Sequence, residues 1–271
     1  EIDRSTYDLL QLDNGTPNYS YDYEEAVADG YLVPYKTLQF HSKIMETGIK
    51  WDDLSKDQQD KLEEVWDYEK ALAGMGDGED YHRDIESKEI FNYLFNNNTI
   101  DKVLQELMEK GLKVQSGEEV GKTIIFAMNH MHAEQIVKRF RELYPEKGVQ
   151  YCQLIDNYVK YAGDLILDFE EPEKMPQIVV SVDMLDTGVD VPSVLNLVFF
   201  KRVKSKIKFM QMIGRGTRLC PGLFGNKDKE EFYIFDWCNN FEYFSVHTEG
   251  ADPVTVKSLT ERLFSLRLDI A

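Results

Sequence analysis

The amino-acid sequence predicts an α/β fold, a parallel sheet with helices on both faces, and two observations carry that expectation. Four runs are apolar almost throughout: Lys122–Met128 (KTIIFAM), Gln177–Val182 (QIVVSV), Val194–Phe200 (VLNLVFF) and Phe232–Phe235 (FYIF). Strands with one wet face alternate polar and apolar residues, whereas continuous apolar strands are covered on both faces. The runs are separated by segments whose apolar residues recur at helical spacing, the pattern of strand–helix–strand units.

In chain order, Asp22–Asp29 reads as a short acidic helix stopped by Gly30, and Tyr31–Tyr35 as an extended segment leading into Lys36–Phe40. Residues 51–73 read as a helix of mixed charge, and Gly74–Gly78 as a loop. Ile85, Ile90, Phe91, Leu94 and Phe95 have helical spacing, and Asn96-Asn97-Asn98 ends that helix. Thr99 is placed to cap the next one, carrying Val103, Leu104, Leu107 and Met108 and stopped by Gly111. His132–Tyr144 is amphipathic through Ile136, Val137, Phe140 and Leu143, and Pro145 closes it. Val149–Leu154 reads as a strand, Tyr158–Phe169 and Ile207–Ile213 as helices. Leu259, Leu263, Leu266 and Ile270 give a final helical pattern. In a sheet of this kind, functional loops are expected at the carboxyl ends of the strands.

At 271 residues with 42% hydrophobic content, the chain can bury a sizeable core. No apolar run approaches the roughly 18 residues needed to span a bilayer. The sequence opens at Glu1 without a methionine, so it is expected to be a piece of something longer. Its three cysteines, Cys152, Cys220 and Cys238, are scattered and form no CxxC pair, which fits a reducing, cytoplasmic setting and argues against structural zinc. His130 and His132 lack ligand-type partners nearby in sequence, so no metal site is expected.

The net charge of −18 argues at first against a polyanionic partner. Its distribution matters more than its sum. Residues 1–100 hold 23 acidic and 9 basic residues, whereas 201–218 hold seven basic residues and no acidic one. Screening limits the reach of distant charge to about 10 Å, so a local basic surface on an acidic protein can still meet phosphates.

That basic stretch ends in Gln211-Met212-Ile213-Gly214-Arg215-Gly216-Thr217-Arg218. Guanidinium groups stay charged and bind phosphate oxygens through a planar fork. Two of them three residues apart, expected at a helix start and on one face, suit the terminal phosphate of a nucleoside triphosphate. Upstream, the strand Gln177–Val182 runs into Asp183-Met184-Leu185-Asp186-Thr187-Gly188-Val189-Asp190-Val191-Pro192. Gly188 lets the backbone approach a ligand, Thr187 offers a hydroxyl, and Asp190 is suited to accept hydrogen bonds from sugar hydroxyls.

The segments KTIIFAMNHMHA (122–133), VDMLDTGVDVP (182–192) and QMIGRGTR (211–218) resemble motifs IV, V and VI of superfamily 2 helicases and translocases, in that order. The resemblance is closer still to the restriction (motor) subunit of type I restriction enzymes. It rests there on NLVFFKRVKSKIKFMQMIGRGTRLCPGLFG (196–225), KDKEEFYIFDWCNNFEYF (227–244), DRSTYDLL (3–10) and YSYDYEEAVADGYLVPY (19–35). It covers most of the chain, loosely over 38–85 and beyond 250.

This resemblance implies a second RecA-like motor domain at 84–250, preceded by a connector arm at 1–83 and followed by the start of a C-terminal helical region at 251–271. In that family the nucleotide lies between two such domains, and the first carries the phosphate-binding loop and the metal-binding acidic motif. This chain has no GxxxxGK[ST] and no DEAH-like run, so it is expected not to hydrolyse ATP alone. ATP and Mg2+ then belong to the complete protein only. The roles implied are Arg215 and Arg218 at the γ-phosphate, with Arg218 as arginine finger, and Gln211 at the phosphate or attacking water. Gly188 and Asp190 fall on the nucleotide cleft. Thr187 and Asp183 fall between nucleotide and DNA, and Asn129 and His130 at the DNA backbone. Implied partners are double-stranded DNA, the nuclease and first motor domains, and the specificity and methyltransferase subunits, with no membrane. The ExK of Asp84–Lys88 lies in a helical pattern, which does not suit a D…ExK nuclease site. Phe199, Phe200, Phe235, Trp237, Phe241, Tyr243 and Phe244 could stack bases, but most are expected in the core. The alternatives are another superfamily 2 DNA helicase, or a non-catalytic interaction module that binds protein partners through its acidic front third.

Overall fold

The computed structural model describes residues 22–40, 94–114, 117–182, 184–185 and 190–244. The helix and loop expected over 51–78, most of the 85–95 helix and the 257–270 helix lie outside the described residues, as do Asp183, Thr187 and Gly188.

The expected parallel sheet is present. Its strands are β1 (Tyr35–Gln39), β4 (Lys122–Ala127), β5 (Cys152–Ile155), β6 (Ile178–Ser181), β7 (Val194–Phe200) and β8 (Phe232–Asp236), in the order β1-β8-β7-β4-β6-β5. Every pairing is parallel. Strands β4, β6 and β7 are buried at every position, whereas the edge strands β1 and β5 are only partly so. Continuous apolar runs mark the first three for that reason. The short β2 (Lys113–Val114) and β3 (Glu119–Val120) form a separate antiparallel ladder that the sequence did not announce.

The helices are α1 (Tyr23–Ala28), α2 (Asn97–Lys110), α3 (His130–Leu143), α4 (Ala162–Glu170), α5 (Lys206–Ile213) and α6 (Asn240–Tyr243). One face of the sheet packs Ile125, Val180, Val198 and Phe200 with Leu104 and Leu107 of α2 and Ile136 and Phe140 of α3. The opposite face packs Ile124, Val179, Leu197 and Phe199 with Phe169 of α4 and Phe209 and Met212 of α5. The alternation of strand side chains thus feeds two cores, one above and one below a single sheet. Phe199, Phe200, Phe235, Trp237 and Phe241 are buried in them, whereas Tyr243 is exposed.

Two local expectations need correction. Asn96, not Thr99, caps α2: its side chain accepts the Asn98 N–H at 2.9 Å, and Asn97 and Asn98 already belong to the helix. Helix α3 starts at His130, because the Asn129 side chain accepts the His132 N–H at 2.9 Å. In both cases the cap is the asparagine directly before the first helical residue. Within the expected arm, Tyr35–Gln39 is itself a strand of the sheet, paired along its length with β8.

Candidate phosphate-binding site

Arg215 and Arg218 follow a helix instead of opening one. Helix α5 ends at Ile213, Gly214 caps it with its N–H on Met210 O, and the arginines lie in the turn beyond. Because α5 packs back along the sheet after β7, this turn lands at the amino-terminal end of the strands. Three other segments arrive at the same end. Asp190–Pro192 precedes β7, Lys229 precedes β8, and Leu32–Val33 precedes β1. The expectation of a site at the carboxyl ends therefore fails for the arginine pair, since α5 carries its motif back across the sheet.

The turn is tied down by its backbone and leaves its guanidiniums outside. Thr217 Oγ1 donates to Gly214 O at 3.1 Å, and Val33 N–H donates to Thr217 O at 2.8 Å. Val33 is held in turn by the Tyr23 hydroxyl, which donates to its carbonyl at 3.0 Å while the Tyr23 ring stacks on Tyr35. A Cβ on Gly216 would lie 2.3 Å from the Phe232 ring, so glycine is required for the turn to sit this close to β8. Arg215 Nε donates to Gln211 O at 3.3 Å, a favourable place for a cation at the negative end of α5.

Arg218 Nε lies 3.0 Å from Asp190 Oδ1, and both side chains are more than half exposed. Leu32, Asp190, Gly214, Arg215, Thr217 and Arg218 line a cavity of about 160 Å3. The geometry thus brings Asp190, Arg215 and Arg218 together, with Gln211 exposed on the last turn of α5.

Asn129 and His130 sit at the other end of the sheet, beyond the carboxyl end of β4. Asn129 is committed as the α3 cap. His130 Nδ1 hydrogen-bonds the buried Asp156 carboxylate beyond β5, and its Nε2 is 3.4 Å from Glu134.

Two residues at this end of the sheet, Leu32 in the lining and Lys229 behind it, escaped sequence reasoning. Leu32 belongs to a stretch read only as a lead-in to a strand. Lys229 is one lysine in the acid-rich run KDKEE, yet it is 3% exposed and donates to Pro192 O at 3.0 Å and Gly216 O at 2.7 Å. Burial lowers its pKa to about 7. A neutral amine would still carry one N–H for each carbonyl. Its partners stand 37 and 13 residues earlier in the chain, and no local pattern encodes such pairings.

The arginine turn closes on an aspartate that precedes β7, and residues 98–220 match the helicase conserved C-terminal domain. The chain is 32% identical over 270 residues to the type I restriction enzyme EcoKI endonuclease subunit of Escherichia coli K12, covering 91% of this chain and 20% of that protein. It is 25% identical over 226 residues to the EcoAI endonuclease subunit of E. coli, covering 80% of this chain and 25% of that protein. The chain thus spans between a fifth and a quarter of the length of these relatives. In fold it resembles a fragment structure described as an HsdR subunit of a type I restriction enzyme from Vibrio vulnificus YJ016. The TM-score there is 0.61 with 22% identity, over 85% of this chain and 37% of that one. The chain is thus a relative of type I restriction endonuclease subunits and carries a helicase conserved C-terminal domain. Among the described residues, no helix is long and apolar enough to cross a membrane.

Proposed function

We propose that this chain supplies the second half of an ATP site in a DNA-translocating motor of a type I restriction–modification system. The observation that carries the reading is the cavity of about 160 Å3 that gathers Arg215, Arg218 and Asp190. Complete small-ligand pockets run to roughly 300–1,000 Å3, so this one has the size of a half-site. Two guanidiniums around it call for a polyanion. Metal ligation is not assigned to this share, whose lining residues include a single carboxylate. Mg2+ and the phosphate-binding loop would come from the first motor domain of the complete protein.

In this reading Arg218 reaches the γ-phosphate as charge gathers there during cleavage, with Arg215 beside it and Gln211 at the attacking water or phosphate. Asp190 accepts from the ribose hydroxyls. A ribose and a γ-phosphate are separated by two phosphates, so Asp190 and Arg218 cannot serve both and keep their 3.0 Å contact. Nucleotide entry therefore exchanges that ion pair for two ligand contacts. An exposed pair of this kind contributes about 0–1 kcal/mol, so the exchange is cheap.

Gly188, Thr187 and Asp183 belong to the segment between β6 and β7, which joins the two ends of the sheet. Thr187 and Asp183 would couple nucleotide to DNA, and Gly188 would lie with Asp190 on the nucleotide cleft. Asn129 and His130, beyond the carboxyl end of β4, would face the DNA backbone. Phosphate contacts of this kind carry no sequence information, so target choice would fall to the specificity subunit, acting with the methyltransferase and nuclease parts. Isothermal titration of ATP into the 271-residue chain tests the half-site directly. The expected result is no saturable binding below about 1 mM, a bound of −4 kcal/mol. Micromolar binding would mean a complete pocket and would end this reading.

A further inference from the structure

We infer that Lys229 is the positioning residue of the phosphate pocket, fixing the turn that carries Arg218 against the loop that carries Asp190. This rests on the proposed role of Arg218 and adds a residue to it. Lys229 Nζ donates to Gly216 O, between the two arginines, at 2.7 Å, and to Pro192 O, two residues beyond Asp190, at 3.0 Å. One side chain thereby joins both walls of the pocket from behind. The lysine is itself held, with its N–H on Cys220 O at 3.1 Å and the Phe232 ring 5.6 Å from Nζ. Gly216 is clamped between that ring, which leaves no room for a Cβ, and the lysine amine.

The choice of residue points the same way. A buried amine whose polar partners are two carbonyls gains less than it loses in hydration, and a methionine would fill the same volume without that cost. A fold under pressure for stability alone has no need of lysine here. A fold that must keep an arginine finger within a fraction of an ångström of its target does, because small displacements of catalytic groups are expensive in rate.

The test is a double-mutant cycle in the complete motor protein, read as kcat and KM for DNA-stimulated ATP hydrolysis beside the thermal unfolding midpoint. The variants are Arg218→Ala, Lys229→Met and the two combined. Lys229→Met is expected to unfold near the wild-type midpoint and to lose about 10- to 100-fold in kcat, with KM for ATP changed less than about threefold. In the Arg218→Ala background it should cost less than about a further threefold, because it acts through a group already removed. A Lys229→Met enzyme within about twofold of wild type, or a loss that multiplies fully with that of Arg218→Ala, overturns the inference. An unchanged rate for Arg218→Ala instead removes the reading of the pocket on which it rests. If Lys229→Met does not fold, Lys229→Gln takes its place under the same criteria. Failure of both to fold assigns Lys229 to stability and overturns the inference as well.

Discussion

Two corners of this molecule hold polar groups in opposite ways. At the carboxyl end of β8, Asp236 and Asn240 are buried and saturated. The Asp236 carboxylate accepts from the Cys238 and Phe241 N–H groups, and Asn240 donates to Asp236 and Lys201 O while accepting the Val203 N–H at 2.8 Å. At the amino-terminal end, the turn 214–218 is fixed through its backbone, while the Arg218 guanidinium is exposed and meets one exposed carboxylate. Breaking a buried network leaves orphaned groups that cost full desolvation, whereas an exposed ion pair exchanges partners with little change in free energy. The fold keeps its buried, saturated contacts at the carboxyl end of β8 and an exposed, exchangeable ion pair at the amino-terminal end of the sheet.

Three perturbations probe that contrast, in order of expected size. Asn240→Ala removes the acceptor of the Val203 N–H and the donor to the Lys201 carbonyl and the Asp236 carboxylate, and should cost about 3 kcal/mol in urea unfolding. A loss below about 1 kcal/mol would mean the corner is not rigid in the sense argued here.

The buried layer should also respond to acid in a way the arginine turn cannot. His132, fully buried between Phe95 and Phe200, has its pKa lowered to about 3 by desolvation, and its Nδ1 accepts the Met128 N–H at 3.2 Å. A group with a depressed folded pKa binds its proton more readily in the unfolded chain, so stability falls as pH drops from about 6.5 toward 3. Between pH 7.5 and 5.5 this histidine should account for about 1 kcal/mol, measured as the difference between wild type and His132→Gln at the two values. Equal pH slopes in the two proteins would contradict it. The arginines stay charged over the whole window.

Asp190→Asn is the smallest effect. Removing an exposed pair should leave stability within about 0.5 kcal/mol of wild type. A larger loss would show that the Arg218–Asp190 contact holds the fold, and would bring the two corners closer in kind.

How much of this was legible in the sequence follows from the range of the interactions. Strands β4, β6, β7 and β8 declare themselves because burial on both faces requires apolar residues throughout. The arginine pair and Asp190 are also readable, since each sits in a short motif, and the structure brings them together. Their setting was not. Nothing in QMIGRGTR says that the arginines follow a helix, and nothing says that Leu32 arrives at their pocket from nearly two hundred residues upstream. That arrival depends on β1 pairing with β8, and edge strands with mixed burial carry a weak pattern. Lys229 was hidden for a related reason: in sequence it looks like Lys227, and only the folded chain distinguishes the buried lysine from the exposed one.

Arg218 is proposed to complete a triphosphate site shared with a partner domain. This role is tested most directly by DNA-stimulated ATP hydrolysis in the complete motor protein with Arg218→Ala. The account expects kcat to fall by on the order of 10³-fold, as for arginines that complete a phosphoryl-transfer site, with unfolding unchanged. A rate within about twofold of wild type would remove Arg218 from the mechanism and leave the pocket without its function.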